Sequence, residues 1–189
     1  MEAALDLLSE RGDEGVSLRE LTDAADANVA AVSYHFGSLQ ALLDGAIEDA
    51  LARYLEAQQE AVSALGPEPT LEELAAAFAR PMISALTKGG RDRAAIRIVA
   101  RAAIDPPQGW DRFDARFDQI RADVLQVLKP NLPGVRAPEL IIRTRCVAGM
   151  LNWLALAPVG AELSDKSEKQ AERLLVPIVA GAFRGTSSA

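Results

Sequence analysis

The chain is short of the groups on which most catalysis and most covalent stapling depend. Its 189 residues include one cysteine, Cys146, and one histidine, His35. A lone thiol cannot close an internal disulfide, and no basic-then-apolar leader opens the sequence, so a reducing cytoplasm is the expected setting. One histidine and one cysteine supply neither clustered metal ligands nor a nucleophile beside its base. No glycine-rich phosphate loop or paired-carboxylate signature makes up the deficit. We therefore expect no enzyme, no metal and no cofactor. Long apolar runs are missing too: the uncharged stretch from Cys146 to Ala161 has 16 residues, interrupted by Asn152 and Pro158, against the roughly 20 needed to span a bilayer. No membrane partner is expected.

Cations are scarce where they matter most. The first 50 residues hold two arginines, Arg11 and Arg19, and no lysine against eleven carboxylates, a local charge of −9 in a chain whose total is −7. Such a balance opposes phosphate binding, because Lys and Arg supply most non-specific affinity for nucleic acid. The carboxylates Asp44, Glu48 and Asp49 fall near the opening of a helix, where they favour the positive end of its dipole.

What is present is helical periodicity almost throughout. Apolar residues recur at three- and four-residue intervals, and no alternation marks a half-buried strand. The spacing predicts an all-α protein. Met1, Ala4, Leu5 and Leu8 make one stripe of a short helix that stops at Gly12, a residue tolerant of the left-handed closing conformation. Ser17 with Glu20 forms a capping box that opens a second helix. Asp26-Ala27-Asn28 supplies a turn and an N-cap for a third helix, whose inward positions would be Val29, Val32 and Phe36. Gly37 ends that helix, and Ser38 caps a long one running from Leu39 to about Leu65. Later helices are expected over Leu71 to Thr87, with Pro81 inside, Arg91 to Ile104, Trp110 to Leu128, Pro138 to Leu156 and Lys166 to Arg184.

The second and third helices meet the spacing of a helix-turn-helix, in which the second member presents a polar face to a DNA groove. The run Ser17-Leu-Arg-Glu-Leu-Thr-Asp-Ala-Ala-Asp-Ala-Asn-Val-Ala-Ala-Val-Ser-Tyr-His-Phe-Gly-Ser38, followed by Ala41-Leu42-Leu43, resembles the TetR-like transcriptional regulators. Tyr34-His35-Phe36 before the Gly-Ser turn is the most specific part. The resemblance covers about a quarter of the chain, Met1 to Ile47. It implies an N-terminal helix-turn-helix domain (1–44) and a larger helical-bundle domain for ligand binding and dimerisation (45–185). It also implies a dimer on a roughly palindromic operator, released when a small-molecule effector binds. Carried over residue by residue, the DNA-facing set is Ser17, Arg19, Asn28, Ala30, Ala31, Ser33, Tyr34 and His35. The sequence departs from the family's pattern in three places: Leu39 stands where a phosphate-binding lysine is usual, Asp26 where the turn usually has glycine, and no basic arm stands ahead of helix one. A dimeric small-molecule-binding or protein-interaction module with a weakened helix-turn-helix is the competing reading.

For the effector, the large adaptable side chains Tyr54, Phe78, Met82, Trp110, Phe113, Phe117, Met150 and Trp153 are the candidate cavity lining, with Arg101 as the candidate partner of an acidic ligand group. Residues 138–156 and 166–184 are more apolar than one buried face requires: Ile141, Ile142, Val147, Met150, Leu151 and Leu154 on one helix, and Leu174, Leu175, Val176, Ile178, Val179 and Phe183 on the other. The excess, read through the resemblance, is a homodimer interface made by the last two helices of each subunit.

Overall fold

The helices begin where short polar side chains can catch free backbone N–H groups. In the computed structural model, which describes residues 1–12, 15–106, 119, 122–157 and 159–185, side chains of Ser17, Asn28, Ser38, Thr70 and Ser167 each accept from the first turn of the helix that follows. Three of these are full capping boxes, with Glu20, Glu73 and Gln170 returning the bond. Caps of this kind are worth about 0.5–2 kcal/mol each. Among the described residues every regular element is helical: α1 (Glu2–Arg11), α2 (Leu18–Ala24), α3 (Val29–Phe36), α4 (Leu39–Ser63), α5 (Leu71–Lys88), α6 (Gly90–Ile104), α7 (122–128), α8 (Ala137–Leu156), α9 (Val159–Ser164) and α10 (Glu168–Arg184), with a 3-10 turn at Lys129–Asn131. Gly12 and Gly37 stop α1 and α3 with φ of 80° at each, a backbone state that costs glycine little. Helix α5 runs through Pro81, which is buried. No helix among the described residues is long and apolar enough to cross a membrane.

The buried side chains form two clusters. One gathers Leu5, Leu8, Val16, Leu21, Val32, Leu43, Ile47 and Leu51 from α1 to α4 and the segments between them. The other joins α5, α7, α8 and α10 through residues such as Ile83, Leu86, Leu128, Val147, Leu175, Val179 and Phe183. Helix α6 serves both. Ile98, Val99 and Ala102 complete the first cluster, while Ile96 and Ala100 enter the second. A helix buried on two faces needs apolar residues around most of its circumference, and the Ala-Ala-Ile-Arg-Ile-Val-Ala run of α6 meets that need. Tyr54 on α4 packs against both clusters, and burial pushes its phenol pKa up to about 12.

Polar contacts fix how α6 meets α1. Arg97 Nε donates to the Ser9 carbonyl at 3.2 Å, and Arg101 donates to the carbonyls of Ser9 at 3.4 Å and Glu10 at 3.1 Å. These carbonyls belong to the C-terminal turn of α1, which lacks intrahelical donors and carries the negative end of the dipole, so guanidinium groups suit it. Gly12 lies directly beneath Arg101, whose Cδ would stand 3.2 Å from any added Cβ.

Candidate nucleic-acid interface

Helix α2 supports α3. Its start is held by a reciprocal network: the Ser17 hydroxyl donates to Glu20 at 2.6 Å, the Ser17 N–H donates to the same carboxylate at 3.1 Å, and the Glu20 N–H donates back to Ser17 Oγ at 3.3 Å. Arg11 at the end of α1 donates to Glu20 at 2.8 Å. Bonds from the Ser17 hydroxyl first, then Arg11, then the Ser17 backbone hold the Glu20 pKa at about 2. At the other end, Ala27 N–H reaches back to the Thr22 carbonyl at 2.9 Å around Asp26, whose φ of 46° is the one positive value among described non-glycine residues. Asp26 thus adopts the left-handed turn that glycine would make more easily, as a short side chain able to bond locally can.

Asn28 caps α3 by accepting the Ala31 N–H at 2.8 Å. Val32 fastens the helix to the core with 7% exposure. Of the three inward positions expected from the sequence, only Val32 is buried; Val29 is 50% and Phe36 37% exposed. Helix α3 is two turns long and packs on α2 and α4, so its central Val32 is covered while Val29 and Phe36, at its two ends, stay open to solvent.

The expected DNA-facing residues fall as follows. Ser17, Arg19, Asn28, Ala30, Ser33, Tyr34 and His35 are exposed and Ala31 is half-buried. Tyr34, 86% exposed, stands edge-on to His35 with ring centroids 5.0 Å apart. Ser17 and Asn28 are also occupied as helix caps, so what each leaves free for a phosphate is its remaining lone pair or N–H. Arg19 lies 3.8 Å from Asp23 at a highly exposed position, a pairing weak enough to give way to phosphate.

The first 50 residues stay net negative, but their charges are kept off α3 itself. From Ala27 to Leu43 the chain carries no Asp, Glu, Lys or Arg, so α3 presents a neutral surface of hydroxyl, imidazole and methyl groups. Nearby carboxylates are drawn into ion pairs: Glu20 with Arg11, Asp23 with Arg19, and Asp49 with both Arg53 and Arg91 at 3.0 Å. Partial burial works against the charge of Asp49, yet the two arginines hold its pKa below the usual range.

Of the described candidate effector residues, Tyr54, Phe78, Met82 and Met150 all belong to or pack against the C-terminal cluster, while Arg101 and Trp153 lie apart from it. Tyr54 borders a cleft of about 530 Å³ between α4, α5 and α6. Phe78 meets Phe183 edge-on at 5.5 Å, and Met82 is core. Met150 packs half-buried on the C-terminal cluster. Arg101 donates to the Ser9 and Glu10 carbonyls of α1. Trp153 is 58% exposed, because it shares the outward face of α8 with Ile142, which points away from the core. Trp110, Phe113 and Phe117 lie outside the described residues. Sequence reading missed Gln58, which is almost fully buried and bonded to the Ala77 carbonyl; its place three or four residues from Tyr54, Leu55, Ala61 and Val62 continues the apolar stripe of α4 and is the signal that could have found it.

Comparison with known proteins agrees with this geometry. The model of bacterial regulatory proteins of the tetR family matches residues 1–46, and that of the tetracyclin repressor-like C-terminal domain matches residues 76–182, more than half of the chain. A probable HTH-type transcriptional regulator, YttP of Bacillus subtilis (strain 168), is 31% identical over 74 residues, a segment covering 39% of this chain and 36% of that protein. Two solved structures share the fold. PfmR, a TetR family transcriptional regulator from Thermus thermophilus, has 20% identity and a TM-score of 0.69 over 100% of this chain and 95% of its own. A TetR-like transcriptional regulator from a Rhodococcus species has 17% identity and a TM-score of 0.72 over 97% and 93%. With both ends of the chain matched and the α2–α3 pair in place, the chain belongs to the TetR family of bacterial regulatory proteins, DNA-binding regulators of transcription.

Proposed function

We propose that the chain is a cytoplasmic, ligand-responsive repressor that binds a palindromic operator as a homodimer, with Ser17, Arg19, Asn28, Ala30, Ala31, Ser33, Tyr34 and His35 facing DNA. The observation that carries this reading is the exposed, charge-free face of α3, anchored by Val32 and tipped by Tyr34. A two-turn helix of this kind fits a major groove, where small residues permit close approach and hydroxyl or imidazole groups reach base edges and phosphates. The dimer is built on α8 and α10. Ile141, Ile142, Trp153, Leu174 and Ile178 leave apolar surface uncovered on these two helices, and added Cβ atoms at Gly149 and Gly181 would meet nothing within 4 Å. A second copy burying the same face on each side closes a two-fold interface.

Footprinting of the full chain on the promoter of its own gene tests the proposal. Two protected half-sites about one helical turn apart, lost when the effector is added, are expected. Absence of any protected site on that promoter or those of neighbouring genes would overturn it.

A further inference from the structure

The chain's one histidine, His35, stands on the exposed face of α3, next to the Tyr34 that tips it. Imidazole is the side chain whose ordinary titration falls between about pH 5 and 8, and from Ala27 to Leu43 no Asp, Glu, Lys or Arg accompanies it. His35 lies in the last turn of α3, where carbonyls without intrahelical donors and the negative end of the dipole favour a cation. Its ring meets Tyr34 edge-on, with centroids 5.0 Å apart. Among the described residues it makes no hydrogen bond or ion pair, so its two nitrogens are left for a partner outside the chain.

Helix α3 packs on α2 and α4. The charged groups these elements bring are Arg19, Glu20 and Asp23 on α2, Asp26 in the turn between α2 and α3, and Asp44, Glu48 and Asp49 in the first half of α4. Glu20 is bonded to Ser17 and Arg11, Asp23 pairs with Arg19, Asp44 accepts from the Gln40 amide at 3.0 Å, and Asp49 pairs with Arg53 and Arg91. Arg19 is the one cation in that set, and carboxylates nearby favour an imidazolium. Glu20 is held at a pKa of about 2, so the cap of α2 persists throughout the histidine range. With Arg19 the one arginine on α2 and α3, a charge gained at His35 doubles the cations that these two helices offer to phosphate.

We propose that operator binding is linked to proton uptake at His35: the imidazolium donates from a ring nitrogen to a DNA phosphate, and acidification through the histidine range strengthens the grip of α3. This rests on the reading of α3 as the DNA-facing helix and adds to it the group through which pH acts. The direction follows from the charges. A phosphate beside the ring favours the protonated form, so the complex holds more protons than its separated parts and binding tightens as the pH falls. A neutral imidazole can still hydrogen-bond to DNA, but only the cation displaces a condensed counterion.

Fluorescence anisotropy of the full chain on a duplex carrying its footprinted operator, at about pH 7.5 and about pH 5.5 across a salt series, tests the proposal. Acidification should tighten binding by about ten-fold or more at low salt. It should also steepen the slope of log affinity against log salt by up to about 2, from one released counterion for each subunit's imidazolium. His35→Gln should remove both changes, whereas a linkage arising from any other group would survive in it. His35→Lys, charged at both pH values, should show the steep slope already at about pH 7.5. Equal salt slopes at the two pH values for the unaltered chain, or a pH response that persists in His35→Gln, overturns the proposal and leaves operator binding by α3 standing. No operator binding at either pH overturns both.

Discussion

Helix α6 belongs in sequence to the C-terminal half but completes the core beneath the helix-turn-helix, and Ile98→Ala measures how much that matters. Ile98 is 4% exposed and sits in the cluster with Leu8, Leu43 and Ile47. The substitution removes three carbons, roughly 2.4 kcal/mol of transfer free energy at about 0.8 kcal/mol per methylene. The space left behind adds a cavity term, since neighbours relax only in part, for a total of about 3–4 kcal/mol. In a chain of this size each kcal/mol lowers Tm by about 2–4 °C, so a drop of roughly 6–15 °C is expected. Because α6 also enters the C-terminal cluster through Ile96 and Ala100, the loss should move one cooperative transition rather than split off an early one. Circular dichroism melting is the assay, with Glu60→Ala, at an exposed position of α4, as a control expected to stay within about 0.5 kcal/mol. A fall in Tm of less than about 2 °C for Ile98→Ala would show that α6 does not seal the N-terminal core.

Other consequences are as accessible. The folded pKa of Glu20, about 2 against an ordinary 4.5, means its contribution is complete above pH 4.5 and is lost as the pH falls toward 2; Glu20→Gln should flatten that part of the stability profile, and an unchanged acid profile would refute the role of the capping network. Asp26→Gly relieves the left-handed backbone at φ 46° and removes a carboxylate near the DNA face, so stability should rise by up to about 1 kcal/mol and DNA affinity should rise at low salt; a destabilised variant in urea titration would contradict this. Ile142→Glu places charge on the apolar face of α8 without touching the core, so analytical ultracentrifugation should find a helical monomer. A dimer that persists would move the interface elsewhere.

The sequence made the helices legible because their punctuation is chemical and local. Ser17 with Glu20, Asn28, Ser38, Gly12 and Gly37 mark starts and stops by bonding to their own neighbours, and each is found doing so. Tertiary roles were harder to read. The exposure of Val29 and Phe36 follows from how short α3 is relative to its supports, which periodicity does not report. The grip of Arg97 and Arg101 on α1 joins residues about 90 positions apart, and nothing in either segment announces the other. Gln58 lies on the buried stripe of α4 between Leu51 and Ala61, where its amide reads as surface by residue type although its spacing is that of the core. Asp49, one of the eleven carboxylates of the first 50 residues, pairs with Arg53 and Arg91, which lie beyond that window.

The central claim, that α3 reads DNA chiefly through Ser33, Tyr34 and His35, is tested most directly by fluorescence anisotropy of the full chain with a footprinted operator across a salt series. Among the described residues Arg19 is the highly exposed cation near the face, so a dimer should neutralise few phosphates and log affinity should fall against log salt with a slope shallower than about −4. Tyr34→Ala should weaken operator binding by about ten-fold or more at every salt concentration while leaving Tm and the dimer unchanged. Unaltered affinity of the Tyr34→Ala protein, or no operator binding by the intact chain at low salt, would contradict the account.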